Sequence, residues 1–244
     1  MATFIVGIVG SPHKEGRTAR LVKNALRGAE RRGAETGIIF LVDYDIKPWS
    51  EEHKRAPEEL NDILKRADGY ILGAPVYYLD INGLTKDFMD TIDLGESNGK
   101  PGLGIAIAGG TGKGLVLAVK SIYYFFFCKG IRGIEPLPVS RFNYDDALEK
   151  AVILGEAVAR EAEKPKPFTS LEDRITYYSQ LKFLDYDMID EIILLAGQLL
   201  KSSPKKNLLE DARMEYEKAI KLRGKGRRLE ALKHAVKAYE SLYY

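Results

Sequence analysis

The chain has 244 residues, 45% of them hydrophobic, and a formal net charge of +2. That is enough for one large core, or for one domain plus an extension, and the near balance of charge gives no field selecting nucleic acid or a membrane surface as partner. The single cysteine, Cys128, excludes an intrachain disulfide. No apolar run reaches spanning length, and Met1 leads into a strand-like run with no basic leader, so a soluble, cytoplasmic protein is expected.

The first apolar run, residues 4–9, reads as a buried strand. It ends in a polar loop, Gly10 to Gly16, that opens into a helical pattern over 18–32. Gly33 offers a C-cap, and 36–42 reads as a second strand. A polar loop holding Trp49 and His53 precedes a short helix, 57–66, with Pro57 at its first position. Residues 70–74 form a third strand, expected to stop at Pro75 because proline blocks further pairing in a central strand. Asn82 is placed to cap a helix over 83–93. A fourth strand, 103–108, ends in the glycine loop 109–114, and an apolar helix follows over 115–129, where a buried Cys128 thiol is expected. A fifth strand, 131–139, carries Pro136 and Pro138 and so belongs at an edge; a helix over 145–163 closes the series.

Five strands alternating with helices predict a parallel sheet covered on both faces, with right-handed crossovers. Strand order 2-1-3-4-5 brings the loops after strands one, three and four together at the carboxyl edge, where ligands bind such sheets. Beyond Pro167 the pattern changes. Four helices, 171–185, 188–201, 204–222 and 228–243, read as an all-α C-terminal extension, the last two able to pair as a hairpin. The division is therefore 1–163 and 168–244. The basic stretch 223–228 reads as a solvated loop.

The first loop is no dinucleotide fingerprint, and Lys113 is followed by Gly114 rather than Ser or Thr, which rules against a nucleotide-triphosphate P-loop. What the first loop offers is the hydroxyls of Ser11 and Thr18, the Arg17 guanidinium and the backbone N–H groups of residues 16–19, a set suited to a phosphate monoester. An ordinary strand–helix turn with solvated charges has the same composition. The loop Pro75-Val76-Tyr77-Tyr78 adds a rigid turn and two aromatics beside a flat ligand. Gly109, Gly110, Thr111 and Gly112 allow close backbone approach. Together the three loops describe a mononucleotide with a large ring. His13, His53 and His234 lack metal-ligand spacing, so no metal site is expected.

These segments, with Ala67 to Tyr78, Asn82 to Asp90 and Gly99 to Gly110 in order, resemble the NADPH-dependent FMN reductase family, and within it the iron–sulfur flavoprotein branch. The resemblance spans about residues 1–160. It implies a flavodoxin-like three-layer sandwich and a homodimer or homotetramer with the flavin near the interface. Carried onto this chain, it implies that Ser11, His13, Arg17, Thr18 and Ala19 hold the FMN phosphate. It also implies that Pro75, Val76, Tyr77, Tyr78, Gly109, Gly110, Thr111 and Gly112 frame the isoalloxazine. Two departures stand out. Arg17 adds charge where the family usually carries Asn or Ser. The segment 46–53, where iron–sulfur relatives place their cysteines, has none, so an iron–sulfur centre is not expected.

The expected activity is hydride transfer from NADPH or NADH to FMN and on to a small electron acceptor. The flavin carries the chemistry, so no catalytic side chain is singled out; Tyr78 and Lys113 are candidates for tuning or gating. The alternatives are a flavodoxin-like electron carrier served by a protein partner, or a chain that keeps the fold without the flavin.

Overall fold

A computed structural model describes residues 2–244. The alternating part comprises β1 (Phe4–Val9), α1 (Arg17–Arg31), β2 (Glu35–Phe40), α2 (Glu58–Lys65), β3 (Gly69–Tyr77), β4 (Asp80–Ile81), α3 (Gly83–Thr91), β5 (Pro101–Ala108), α4 (Leu115–Lys129), β6 (Arg132–Gly133), β7 (Leu137–Ser140) and α5 (Tyr144–Ala162). Four further helices follow: α6 (Leu171–Ser179), α7 (Met188–Ser202), α8 (Leu209–Gly224) and α9 (Arg228–Tyr243).

The sheet order is β2-β1-β3-β5-β6, with β7 also paired to β5 and every one of these pairings parallel. This is the expected order, with two differences in the strands themselves. The fifth strand is split. Gly133 lies opposite Gly102 and Leu137 opposite Ile105, so four steps on the edge strand match three on β5. The extra residue is a bulge at Glu135 and Pro136, the kind of break an edge tolerates and a proline favours. The third strand, in turn, runs through Pro75 instead of stopping there. Gly73 accepts the Gly10 N–H at 2.8 Å on the β1 side, and Pro75, two residues on, faces the same side beyond the end of β1. No ladder donor is needed at that point. Beyond it the chain folds back as β4, antiparallel to the end of β3.

Successive residues of the central strands feed two cores. Ile5, Val9, Ile71, Leu103, Ile105 and Ile107 pack under α1 and α5. Val6, Ile8, Tyr70, Leu72 and Ala106 pack under α2, α3 and α4. The helix layer under α4 is aromatic, and β5 makes room for it with glycine: a Cβ at Gly104 would lie 2.5 Å from the Tyr123 ring. On the other face a Cβ at Gly155 would lie 1.7 Å from the Ala25 carbonyl oxygen, so α1 and α5 pack backbone against backbone. That contact fixes where the α1 N-terminus points.

The C-terminal helices divide. α6 joins the α/β layers, where Tyr178 is buried in the core beneath α4 and its hydroxyl donates to the Ile131 carbonyl at 2.6 Å. α7, α8 and α9 build a separate cluster around Leu195, Ala196, Leu199, Ala212, Ala238 and Leu242, completed by Ala108 of β5 and Leu115 of α4. α8 and α9 pair as a hairpin, with Ala219 and Ala235 buried together. The basic stretch between them is not simply solvated. Arg223 pairs with Asp190, and Arg228 reaches Asp187 at 2.6 Å and Asp190 at 3.2 Å, at the start of α7. Cys128 is exposed, contrary to expectation. Its α4 position lies in phase with exposed Leu117 and Tyr124, on the face turned away from the sheet. Among the described residues, no helix is long and apolar enough to cross a membrane.

Candidate functional site

The loops after β1, β3 and β5 meet at the carboxyl end of the sheet. Buried polar bonds join the first two. The Asn82 amide donates to the Gly10 carbonyl at 2.8 Å, and Thr85 Oγ1 donates to Asn82 Oδ1 at 2.6 Å. Asn82 does stand at the α3 N-cap position, but its side chain makes no cap bond; it is spent on the first loop instead. The second and third loops touch directly, since a Cβ at Gly114 would lie 2.6 Å from both Leu79 Cα and Val76 Cγ1.

The first loop is shaped by its own backbone. The His13 N–H donates to Ser11 Oγ at 3.1 Å, and the His13 carbonyl accepts from the Gly16 N–H at 3.0 Å. α1 then starts at Arg17 with no side-chain cap and no acidic residue in its first turn. The first-turn N–H groups of Arg17, Thr18 and Ala19 therefore face the loop unopposed, beside buried Ser11 and Thr18. The one acid of the loop, Glu15, is engaged with Lys23 at 3.3 Å, and Lys14 with Asp43 at 2.5 Å. The Arg17 guanidinium sits 5.3 Å from the centre of the Tyr144 ring. The Tyr144 hydroxyl is itself buried without a hydrogen-bond partner. Hydroxyls, N–H donors, a guanidinium and the positive helix end are a donor set chemically suited to a dianion.

The second loop presents its aromatics outward. Pro75 is buried, Tyr77 is half exposed and Tyr78 is fully exposed. Tyr78 and Leu79 carry φ of +50° and +73°, a left-handed pair at the tip of the β3–β4 turn. Two consecutive residues with side chains are costly in that region, and such strain collects at functional sites.

The third loop divides in two. A Cβ at Gly109 or Gly110 would meet nothing within 4 Å, so these two border open space. A Cβ at Gly112 would lie 2.9 Å from Leu195 of α7, so this glycine packs against the C-terminal helices. The Thr111 carbonyl accepts from the Tyr239 hydroxyl at 2.8 Å, and the Lys113 ammonium lies 5.4 Å from the Tyr239 ring centre. Burial, with Tyr243 and Tyr244 beside it, pushes the Tyr239 hydroxyl up to about 12, so it remains a donor at neutral pH.

The structure thus gathers all the residues expected at the site at one edge, with Gly112 turned toward α7. Sequence reasoning missed Asn82 and Thr85 as ties between loops, and Glu191 and Tyr239 as contacts from the C-terminal helices. The first pair sits one helical turn apart at the start of α3, a spacing visible in sequence; the second pair has no local signal. Among the described residues, no group of three or more His, Cys, Asp or Glu is arranged to hold a metal ion.

The family model for NADPH-dependent FMN reductases matches residues 3–133, more than half of the chain. The chain belongs to the NADPH-dependent FMN reductase family. An iron–sulfur flavoprotein of Methanocaldococcus jannaschii is 31% identical over 183 residues, covering 64% of this chain and 95% of that protein. Among solved structures, an apo NADH:FMN oxidoreductase has a TM-score of 0.53 at 22% identity, over 71% of this chain and 94% of that one. A flavodoxin from the domain Archaea has a TM-score of 0.50 at 21% identity, over 66% of this chain and 99% of that one. The fold of this family member is flavodoxin-like, an oxidoreductase scaffold, and the matched segment contains all three loops while leaving α7, α8 and α9 outside it.

Proposed function

We propose that this protein is an FMN-dependent NAD(P)H oxidoreductase that passes reducing equivalents from a nicotinamide nucleotide to a small acceptor. The observation that carries the reading is the uncapped α1 N-terminus, walled by Ser11, Arg17 and Thr18, on the same sheet edge as the open side of Gly109 and Gly110. The donor set fits a phosphate monoester: uncommitted N–H groups, hydroxyls and a guanidinium with no acid in the helix turn. The open glycine backbone and the outward Tyr77 and Tyr78 fit a flat ring.

In this reading Ser11, His13, Arg17, Thr18 and Ala19 hold the phosphate. Pro75 to Tyr78 and Gly109 to Gly112 orient the ring, His13 and Gly112 acting through their backbone. Bound FMN supplies the hydride-accepting chemistry. The chain's own work is to fix the ring by backbone contacts, shield one side with the β3–β4 turn and leave room for the nicotinamide. Lys113 stands at the third loop, where a cation favours an anionic nucleotide over the acidic surface expected of a carrier docking a protein partner. We further propose that residues 1–163 form the flavin-binding unit and 168–244 a helical unit added to it. Self-association into a homodimer or homotetramer belongs to the same reading.

The test is anaerobic mixing of FMN-loaded protein with NADPH and, separately, with NADH. Bleaching of the visible flavin band by at least one of them is the expected outcome. Bleaching by neither contradicts the oxidoreductase reading and leaves an electron carrier.

A further inference from the structure

The loop after β5 is held from outside the α/β layers. α4 begins behind Gly114, whose φ of +100° turns the chain sharply into the helix. A helix start leaves backbone N–H groups without partners. Here one side chain takes two of them: Glu191 Oε1 accepts from the Gly114 N–H and Oε2 from the Val116 N–H, each at 2.8 Å. Glu191 belongs to α7 and is only 4% exposed. A buried carboxylate with both oxygens on helix N-terminal donors is charge-assisted and rigid.

Three more contacts reach the same loop. Tyr239 of α9 donates to the Thr111 carbonyl, Leu195 of α7 packs against Gly112, and the Lys113 ammonium sits over the Tyr239 ring. Residues 111–114 are therefore each held by α7 or α9. Gly109 and Gly110, immediately before them, are the two with open space beside them. The held residues set the direction of the open ones.

We propose that α7 and α9 clamp the flavin-facing loop, with Glu191 and Tyr239 as its positioning residues. The proposal rests on the reading that Gly109 and Gly110 face the isoalloxazine. It gives the helical extension a role in the site: it shapes the ring's surroundings and places a fixed negative charge at the base of α4. Reduction adds electron density to a flavin, so this charge disfavours the reduced form and holds the potential down.

The experiment uses the full-length protein and the variants Glu191→Gln and Tyr239→Phe. Three quantities are read: FMN dissociation constant by fluorescence quenching, flavin midpoint potential, and melting temperature of the apo form. Glutamine keeps the size and one acceptor but turns an NH2 toward the second N–H, so FMN affinity should fall about tenfold. The midpoint potential should rise, by about 30 mV for each tenfold gain in preference for reduced flavin. Tyr239→Phe removes one neutral hydrogen bond, so affinity should fall about threefold with the potential unmoved. FMN binding within twofold of wild type in both variants, at an unchanged potential, overturns the clamp, whatever happens to melting. Should Glu191→Gln fail to fold, Tyr239→Phe decides alone, and unmoved affinity overturns the proposal. A wild-type chain that binds no FMN overturns the flavin reading itself, a different result from flavin binding that ignores the variants.

Discussion

At β1, a polar loop runs into α1, whose first turn carries no acid and no side-chain cap. At β5, a glycine loop runs into α4, whose first N–H groups are bonded to the buried carboxylate of Glu191. Both units are an apolar strand, a glycine-bearing loop and a helix pointing its positive end at the sheet edge. One end is open to an external anion, and the other is filled by an anion from the same chain. The difference teaches that a helix N-terminus is an anion site only when its own protein leaves it vacant. It also separates two proposed jobs: binding by donors at the first loop, and by the shape of the backbone at the third.

Glycine substitutions in the first and third loops should differ most in their cost. A Cβ at Gly10 would lie 1.9 Å from Thr85 Oγ1, inside the buried network that ties the first loop to α3. Gly10→Ala should cost about 2–3 kcal/mol in urea unfolding, since neither Thr85 nor Asn82 has room to yield. Gly109→Ala, at a position with nothing within 4 Å of the added carbon, should stay within about 0.5 kcal/mol of wild type. Equal costs at the two positions would mean that the loops are not packed as described.

The acid limb of stability offers a smaller effect, confined to the helical extension. The bond from His234 at 2.5 Å holds the Glu215 carboxyl below its ordinary 4.5. A carboxyl depressed in the folded state contributes stability above its unfolded value, and that contribution is lost as pH falls through the folded value. Melting temperature should therefore decline below about pH 4.5, and His234→Ala should flatten that part of the decline. A variant with the same acid limb as wild type would mean that this pair contributes nothing to it.

Much of the α/β part was legible because its signals are local. Apolar runs marked the strands, and glycine and proline marked their ends. The apolar run 115–129 coincides with α4 at both ends. Pro75 misled because its effect depends on where β1 ends, a fact about a neighbouring strand. The split between β6 and β7 depends in the same way on register against β5. Cys128 misled because an aromatic stretch hides which face of the helix looks outward. The convergence of the candidate site's three loops was legible, and the residues that support them were not. Asn82 read as a cap because its position is a cap position. Glu191 and Tyr239 act on the third loop across more than seventy residues of sequence, and nothing in their local pattern sets them apart from surface acids and a terminal tyrosine.

Parallel titration of the apo-protein with FMN and with riboflavin, which lacks the phosphate, tests the proposed phosphate site at the α1 N-terminus directly. The open α1 N-terminus predicts that Arg17→Ala combined with Thr18→Ala weakens FMN binding about a hundredfold, the scale of two charge-assisted hydrogen bonds, and leaves riboflavin within about threefold. Equal losses for the two ligands would place the phosphate elsewhere and contradict a phosphate site at the α1 N-terminus.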